Sequence, residues 1–236
     1  MLSLPYPLFH GTSSLFLSGI ADTGLGGKNI LAEWRVYEFS QALLPYVDAH
    51  LATDEGWMVK AQSFRFMVHQ RTGAMNFQHG DTYLSPSKQT AIRYAVNKKF
   101  GSELLTYCLD LLQELLSRKV PSVADSLYMQ FPKLFGLLDI SSVPILIEAQ
   151  RVPVNYLLDE KGGDPAKNIG RINRFIKDCP ENTSAVLQQT NFRLKNLIPV
   201  GQLHAWLINV QKWDPFRPEY TLHTVDLQTS SRDKGP

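Results

Sequence analysis

The chain has 236 residues, a formal net charge of +2, 44% hydrophobic residues and 19% charged ones. That length fits one large domain whose core needs no disulfide or metal staple, and the composition excludes extensive disorder, collagen and disulfide frameworks. Two cysteines, Cys108 and Cys179, cannot build a four-cysteine zinc site, and a charge this close to zero neither requires nor excludes a nucleic-acid partner.

In chain order, residues 6–10 are apolar and bounded by Pro7 and Gly11, which predicts a strand ending at His10. Ser13 or Ser14 is placed to cap a short helix to about Ile20, broken by Gly24, Gly26 and Gly27. Residues 29–51 carry apolar side chains at helical spacing, with Pro45 expected to kink or end the helix. Residues 55–70 predict a second helix, and 72–85, with Gly73, Phe77, Gly80 and Tyr83, short extended pieces. Helix returns over 86–99, with Pro86 in its first turn and Ala91, Ile92, Ala95 and Val96 buried. A strongly amphipathic helix covers 102–117, and more helix follows Pro121 to about Leu138.

The run Val143 to Val154 is apolar, β-branched and bracketed by prolines, which predicts a buried strand. Gly162 to Pro165 is a turn and about 166–177 a short helix. Two further strands are expected at 184–196 and 198–210, and a frayed tail at 228–236. The order is not that of a doubly wound fold, and neither GxGxxG nor GxxxxGK[ST] is present. The expectation is an α+β fold in one domain over 1–227, with helical insertions at about 29–70 and 102–140. No stretch reaches the roughly 18 apolar residues of a membrane span. The first ten residues have neither a basic region nor a long apolar one, so no signal peptide is predicted, and the expected setting is cytoplasmic.

Two segments carry candidate chemistry. His10-Gly11-Thr12 ends a strand just before a helix: the imidazole can meet a ligand hydroxyl, and Gly11, having no Cβ, admits close backbone approach. Their bland reading is a strand end and a helix cap. Tyr83 to Tyr94 joins a strand-end tyrosine, a turn and a helix carrying a second tyrosine, two rings suited to sandwich a flat heterocycle, or simply core aromatics. Glu148 stands in an apolar strand, where an ionised carboxylate is costly unless paired; Arg151 is a candidate partner. His69, His79, His204 and His223 are isolated, with no helical i, i+4 pair, so no metal site is expected. Lys88, Arg93, Lys98 and Lys99 form one basic run and Arg171, Arg174 and Lys177 another, read either as solvated helix faces or as a phosphate-contacting rim.

His10-Gly11-Thr12, then Tyr83-Leu84-Ser85 and the helix bearing Ala91 and Tyr94, together resemble the diphtheria-toxin-like and poly(ADP-ribose)-polymerase-like ADP-ribosyltransferases. The likeness extends weakly to the Pro144–Val152 segment and to Asn191-Phe-Arg-Leu-Lys-Asn with the Leu-Ile-Pro-Val after it; the motifs cover about 50 scattered residues. It implies the split-sheet fold of that clan, with NAD as substrate. His10, Gly11 and Thr12 would hold NAD, Tyr83 and Tyr94 would flank the nicotinamide, and Asn191 would take the third catalytic place with His10 and Tyr83. Two positions depart from the pattern: Ala91 stands where the polymerases often have Ser, and Asn191 where the family has a catalytic Glu. That carboxylate stabilises oxocarbenium character at the ribose, which an amide does not. Either Glu148 or Glu181 substitutes for it, or transfer proceeds without it, or the domain binds NAD or ADP-ribose without chemistry.

The resemblance implies a mono-ADP-ribosyltransferase acting on a macromolecular acceptor, nucleic acid or protein, in the manner of a bacterial toxin, effector or defence enzyme. An RNA 2′-phosphotransferase and a non-catalytic binding module are the alternatives. The helical insertions are candidates for shaping the acceptor site or for binding an inhibitory partner.

Overall fold

A computed structural model describes residues 2–70, 80–121 and 123–227. In chain order the strands and α-helices are β1 (Leu8–Ser13), α1 (Leu17–Thr23), α2 (Ile30–Glu33), α3 (Val36–His50), α4 (Met58–Val68) and β2 (Tyr83–Leu84). There follow α5 (Lys88–Asn97), α6 (Glu103–Ser117), α7 (Val123–Tyr128), α8 (Pro132–Gly136), β3 (Pro144–Ala149) and β4 (Leu157–Asp159). The last are α9 (Ala166–Asp178), α10 (Thr183–Gln188), β5 (Phe192–Leu194), β6 (Leu203–Lys212) and β7 (Glu219–Val225). This is an α+β fold with two antiparallel sheets.

The chain divides into two compact units. The first comprises Met1–Lys28, Asp81–Gly101 and Ser142–Pro236, the second Asn29–Gly80 and Ser102–Ser141.

The first unit holds both sheets, one in the order β1-β3-β6-β7 and the other β2-β5-β4. They join where Phe9 of β1 pairs with Ser85, just past β2, through backbone bonds of 2.7 and 2.8 Å. Alternation along the strands separates two cores. Leu8, Ile145, Ile147 and Ala205 face a cluster that also contains Leu84, Leu157, Phe192 and Leu194 of the smaller sheet. Phe9, Leu146 and Ile208 face the other way and pack with Ala91, Ile92 and Ala95 of α5.

The second unit is helical. Phe39, Leu43 and Val47 of α3, Phe64 and Met67 of α4, and Leu104, Leu105, Leu109 and Leu112 of α6 are buried, and these three helices pack on one another. Arg118, beyond α6, reaches Asp54 at 2.8 Å and Glu114 at 2.7 Å, which fastens the end of α6 to the loop after α3.

Several expectations change, each for a local reason. The first strand does not stop at His10 but runs to Ser13, because Gly11 is where α5 lies on the sheet. Neither Ser13 nor Ser14 caps a helix. Ser14 Oγ instead accepts the Val143 N–H at 3.1 Å, and a 3-10 turn over Ser14–Phe16 leads into α1. The expected helix over 29–51 is split at Arg35, whose φ is +58°, and Pro45 neither ends nor interrupts α3. Proline removes the hydrogen bond to the residue four back, and Pro45 and Gln41 are both exposed, so water can serve the orphaned carbonyl.

Pro86 lies outside α5, which Ser87 caps by accepting the Thr90 N–H at 3.2 Å. The third strand ends at Ala149 rather than Val154, since Arg151 adopts φ +52°. Residues 183–188 are helix rather than strand: Thr183 Oγ1 donates to the Phe175 carbonyl at 3.1 Å, and only Val186 of α10 is buried. The strand expected over 184–196 is thereby reduced to β5, and that over 198–210 begins at Leu203, after a 3-10 turn at Val200–Gln202. Strand β7, a partly exposed edge, was not expected. The readings of Gly73, Phe77 and His79, and of the tail from 228, fall outside the described residues.

Candidate functional site

Three strands of the first unit meet at Ser85. Phe9 of β1 pairs with it, and β2 leads into it. Its hydroxyl donates to the carbonyl of Thr190, just before β5, at 3.4 Å, and accepts the Ser87 N–H at 3.2 Å. Ser85 thus ties the start of α5 to the start of β5. His10 follows Phe9 and Asn191 follows Thr190, so the junction brings the chain at both residues to Ser85.

The half-buried His10 ring faces the same side of its sheet as Leu8 and places Nδ1 2.9 Å from the Tyr83 carbonyl oxygen. A carbonyl only accepts, so Nδ1 carries the proton and neutral Nε2 keeps its lone pair. Burial pushes the His10 pKa below the ordinary value, outweighing the opposite pull of the bond to Tyr83. The ring is therefore a neutral acceptor at Nε2, suited to a ligand hydroxyl.

Tyr83 is half-buried and pairs with Arg193, while its neighbour Leu84 pairs with Phe192 and is fully buried. Arg193 Nη1 lies 3.3 Å from Asp81. Continuing the alternation by one residue sets Asn191 on the side of Arg193 and Tyr83. Arg171 of α9 reaches the residue before Asn191: its Nη2 donates to Thr190 Oγ1 at 3.1 Å, and that hydroxyl donates in turn to the Val186 carbonyl at 2.9 Å. Two guanidinium groups thus reach residues that flank Asn191 in the chain, Arg171 at Thr190 and Arg193 itself, and Arg193 engages Asp81.

Gly11 and Thr12 are both buried. A Cβ at Gly11 would overlap the Ala91 carbonyl oxygen and stand 3.0 Å from the Ala95 nitrogen, so its missing side chain is what seats α5 on β1. Tyr94, one helical turn beyond Ala91, is 37% exposed.

The two acidic substitutes, Glu148 and Glu181, are engaged or placed elsewhere. Glu148 pairs with Phe9 on the side away from Ser85, so it shares the face of Phe9, Ser85 and Tyr83 but stands one strand removed from Ser85. Its partner is Gln150, whose Nε2 donates to Oε1 at 2.9 Å, and not Arg151. Glu181 is exposed in the turn before α10, at the other end of that helix from Asn191. Among the described residues no group of three or more His, Cys, Asp or Glu is placed to hold a metal ion. No described helix is long and apolar enough to cross a membrane. Cys108 is wholly buried in α6, where burial pushes its thiol pKa up.

Sequence reasoning left the linking role of Ser85 and the approach of Arg171 unread. Ser85 belongs to the Tyr83-Leu84-Ser85 motif and Arg171 to a basic run; what distinguishes both is a contact with Thr190, across more than a hundred residues for Ser85 and nineteen for Arg171. Comparison of the chain with models of protein families, with curated proteins and with solved structures finds no match.

Proposed function

We propose that the chain is an NAD-dependent mono-ADP-ribosyltransferase of the split-sheet type, acting in the cytoplasm on a macromolecular acceptor. The observation that carries this reading is the bond between His10 Nδ1 and the Tyr83 carbonyl, which leaves Nε2 as an acceptor where β1, β2 and β5 meet. Two antiparallel sheets joined between β1 and β2 support the fold.

In this reading NAD is the substrate. His10 Nε2 accepts a ribose hydroxyl, and Tyr83 and Tyr94 contact the nicotinamide. The acceptor nucleophile forms a bond to ribose C1′ and gives up its proton. The C1′–nitrogen bond breaks, and nicotinamide leaves with the electron pair. Asn191 accepts a hydrogen bond from a hydroxyl but supplies no negative charge to the developing cation. Transfer in this chain therefore relies on positioning and exclusion of water more than on charge stabilisation. A role as toxin, effector or defence enzyme is consistent with such an activity.

Arg171 favours a second reading. A guanidinium held on Thr190, the residue before Asn191, suits a phosphate, as an RNA 2′-phosphotransferase that uses NAD as phosphate acceptor would need.

NAD labelled on its adenylate phosphate, incubated with the protein and cell lysate, tests the first reading. Label in a protein or nucleic-acid fraction is expected, and His10→Ala should abolish it. A 2′-phosphorylated oligoribonucleotide that loses its phosphate only with NAD present would establish the second. Intact NAD in both assays would overturn both readings and leave a binding module.

A further inference from the structure

The loop between β6 and β7 displays two large rings: Trp213 is 64% exposed and Phe216 70%. It is nevertheless a built turn. Asp214 Oδ1 accepts the N–H groups of Phe216 at 2.7 Å and Arg217 at 2.6 Å. Those two bonds, with the nearby Lys212 and Arg217 charges, hold its carboxyl below the usual range, so it stays ionised and the turn stays closed. Asn97, at the end of α5, fastens the loop by donating from Nδ2 to the Pro215 carbonyl at 2.9 Å. A register shift between Val210 and Lys212 turns the strand end that carries Trp213.

The charge around the rings is basic. Lys98 and Lys99 follow Asn97 directly, and Lys212 and Arg217 flank the turn. Two carboxylates stand among them, Glu219 at 3.5 Å from Lys212 and the ionised Asp214, so the positive surplus comes from Lys98 and Lys99.

We propose that this hairpin tip is a stacking platform for single-stranded nucleic acid. Exposed rings on a fixed turn stack on bases of any sequence, and cations beside them track the phosphates. Charge complementarity selects this occupant. A membrane surface would draw the turn toward lipid, and the ionised Asp214 between the two rings would lose its water on insertion; a stacked single strand leaves it solvated. The inference goes beyond the reading of the junction as a transferase and does not depend on it. If that reading also holds, the acceptor is a nucleic acid.

The test uses the full chain without NAD. Anisotropy of fluorescein-labelled 15-mers of dT and rU is followed at 50 and 200 mM salt. Binding of at least one oligomer, weakened by salt, is expected. Truncating one stacked ring costs about 5-fold to 150-fold, so Trp213→Ala with Phe216→Ala should weaken binding tenfold or more, while Trp213→Phe retains most of it. Arg217→Ala should reduce the salt slope by about one. Both rings are exposed, so the double variant should keep the wild-type circular dichroism and melting temperature. Absence of binding to either oligomer, or equal affinity of wild type and double variant, overturns the proposal. So does binding to phosphatidylserine vesicles that the double variant loses while its oligonucleotide affinity is unchanged. Because NAD is omitted, failure here leaves the labelling experiment untouched, and the converse also holds.

Discussion

At the residue scale, His10 joins the protonation state of the site to the stability of the fold. Its folded pKa is depressed by burial, whereas the unfolded chain titrates near 6.5. Between these values the unfolded state binds a proton that the folded state does not. The contribution of the neutral ring is therefore full above about 6.5 and is lost as pH falls toward and through the folded pKa. His10→Gln should flatten the pH dependence of the urea midpoint below about 6.5 and leave it unchanged above. An identical slope in both proteins would mean that some other group governs the acid limb. The proposed activity should hold through most of that window and fall only as pH passes through the folded pKa at its acid end, because imidazolium has no lone pair at Nε2 to offer a hydroxyl. Asn191 gives a second residue-scale expectation. Among the described residues Glu148 stands one strand away from Ser85, across Phe9, and accepts from Gln150, while Asp81 is paired to Arg193. Asn191→Glu should raise NAD cleavage about tenfold or more, equivalent to about 1.4 kcal/mol of barrier, measured as nicotinamide release. No change would show that Asn191 does not face the ribose.

At the element scale, α5 positions the junction, and Gly11 is its seat. A methyl group there meets the backbone of Ala91 and Ala95, which cannot rotate away as a flexible side chain could. Gly11→Ala should therefore cost about 1–3 kcal/mol, the usual range for overpacking, read as a lower urea midpoint with an unchanged slope. A neutral substitution would show that α5 shifts freely on β1. The same helix shows what made the fold legible. Its Ala91, Ile92 and Ala95 face needs only a period of 3.6, and Ser87 is an N-cap residue by type. Strand β3 was legible for a similar reason: it is buried on both faces, so its apolar run is continuous. Strand β5 was not, because a three-residue strand has too few positions to display alternation, and the apolar residues before it belong to α10. Strand β7 alternates, but as a partly exposed edge it is apolar only at alternate residues and carries Glu219, Thr221 and His223 between them. In the site, His10, Tyr83 and Asn191 stood out as residue types in suggestive places. Ser85 and Arg171 did not, since their part consists of hydrogen bonds to Thr190 across long or irregular stretches of chain.

At the scale of the whole molecule, each segment of the helical unit leaves and returns at neighbouring points. A Cβ at Gly80 would stand 3.4 Å from Asn29 Nδ2, which brings the two ends of the first segment together. Around the second segment, Ser142 Oγ donates to the Lys99 carbonyl at 2.5 Å. Such closure lets a sheet-based unit accommodate two long insertions at a loop-closure cost that grows only slowly with their length. The clusters on the two faces of the larger sheet draw only on the first unit, while α6 buries Leu109 and its neighbours among helices of the second. A cavity at Leu109 should therefore act locally. Leu109→Ala is expected to cost about 2–5 kcal/mol, and native-state hydrogen exchange can show where that loss falls. Amides of α3, α4 and α6 should lose protection, while those of β1, β3 and β6 keep theirs. Equal loss in both units would mean one cooperative core. The proposed chemistry offers a parallel readout, since the junction of β1, β2 and β5 lies wholly in the first unit. Under conditions where Leu109→Ala loosens the helices without unfolding the sheets, nicotinamide release from NAD should persist, and modification of a macromolecular acceptor should be lost first if the helices help to hold it.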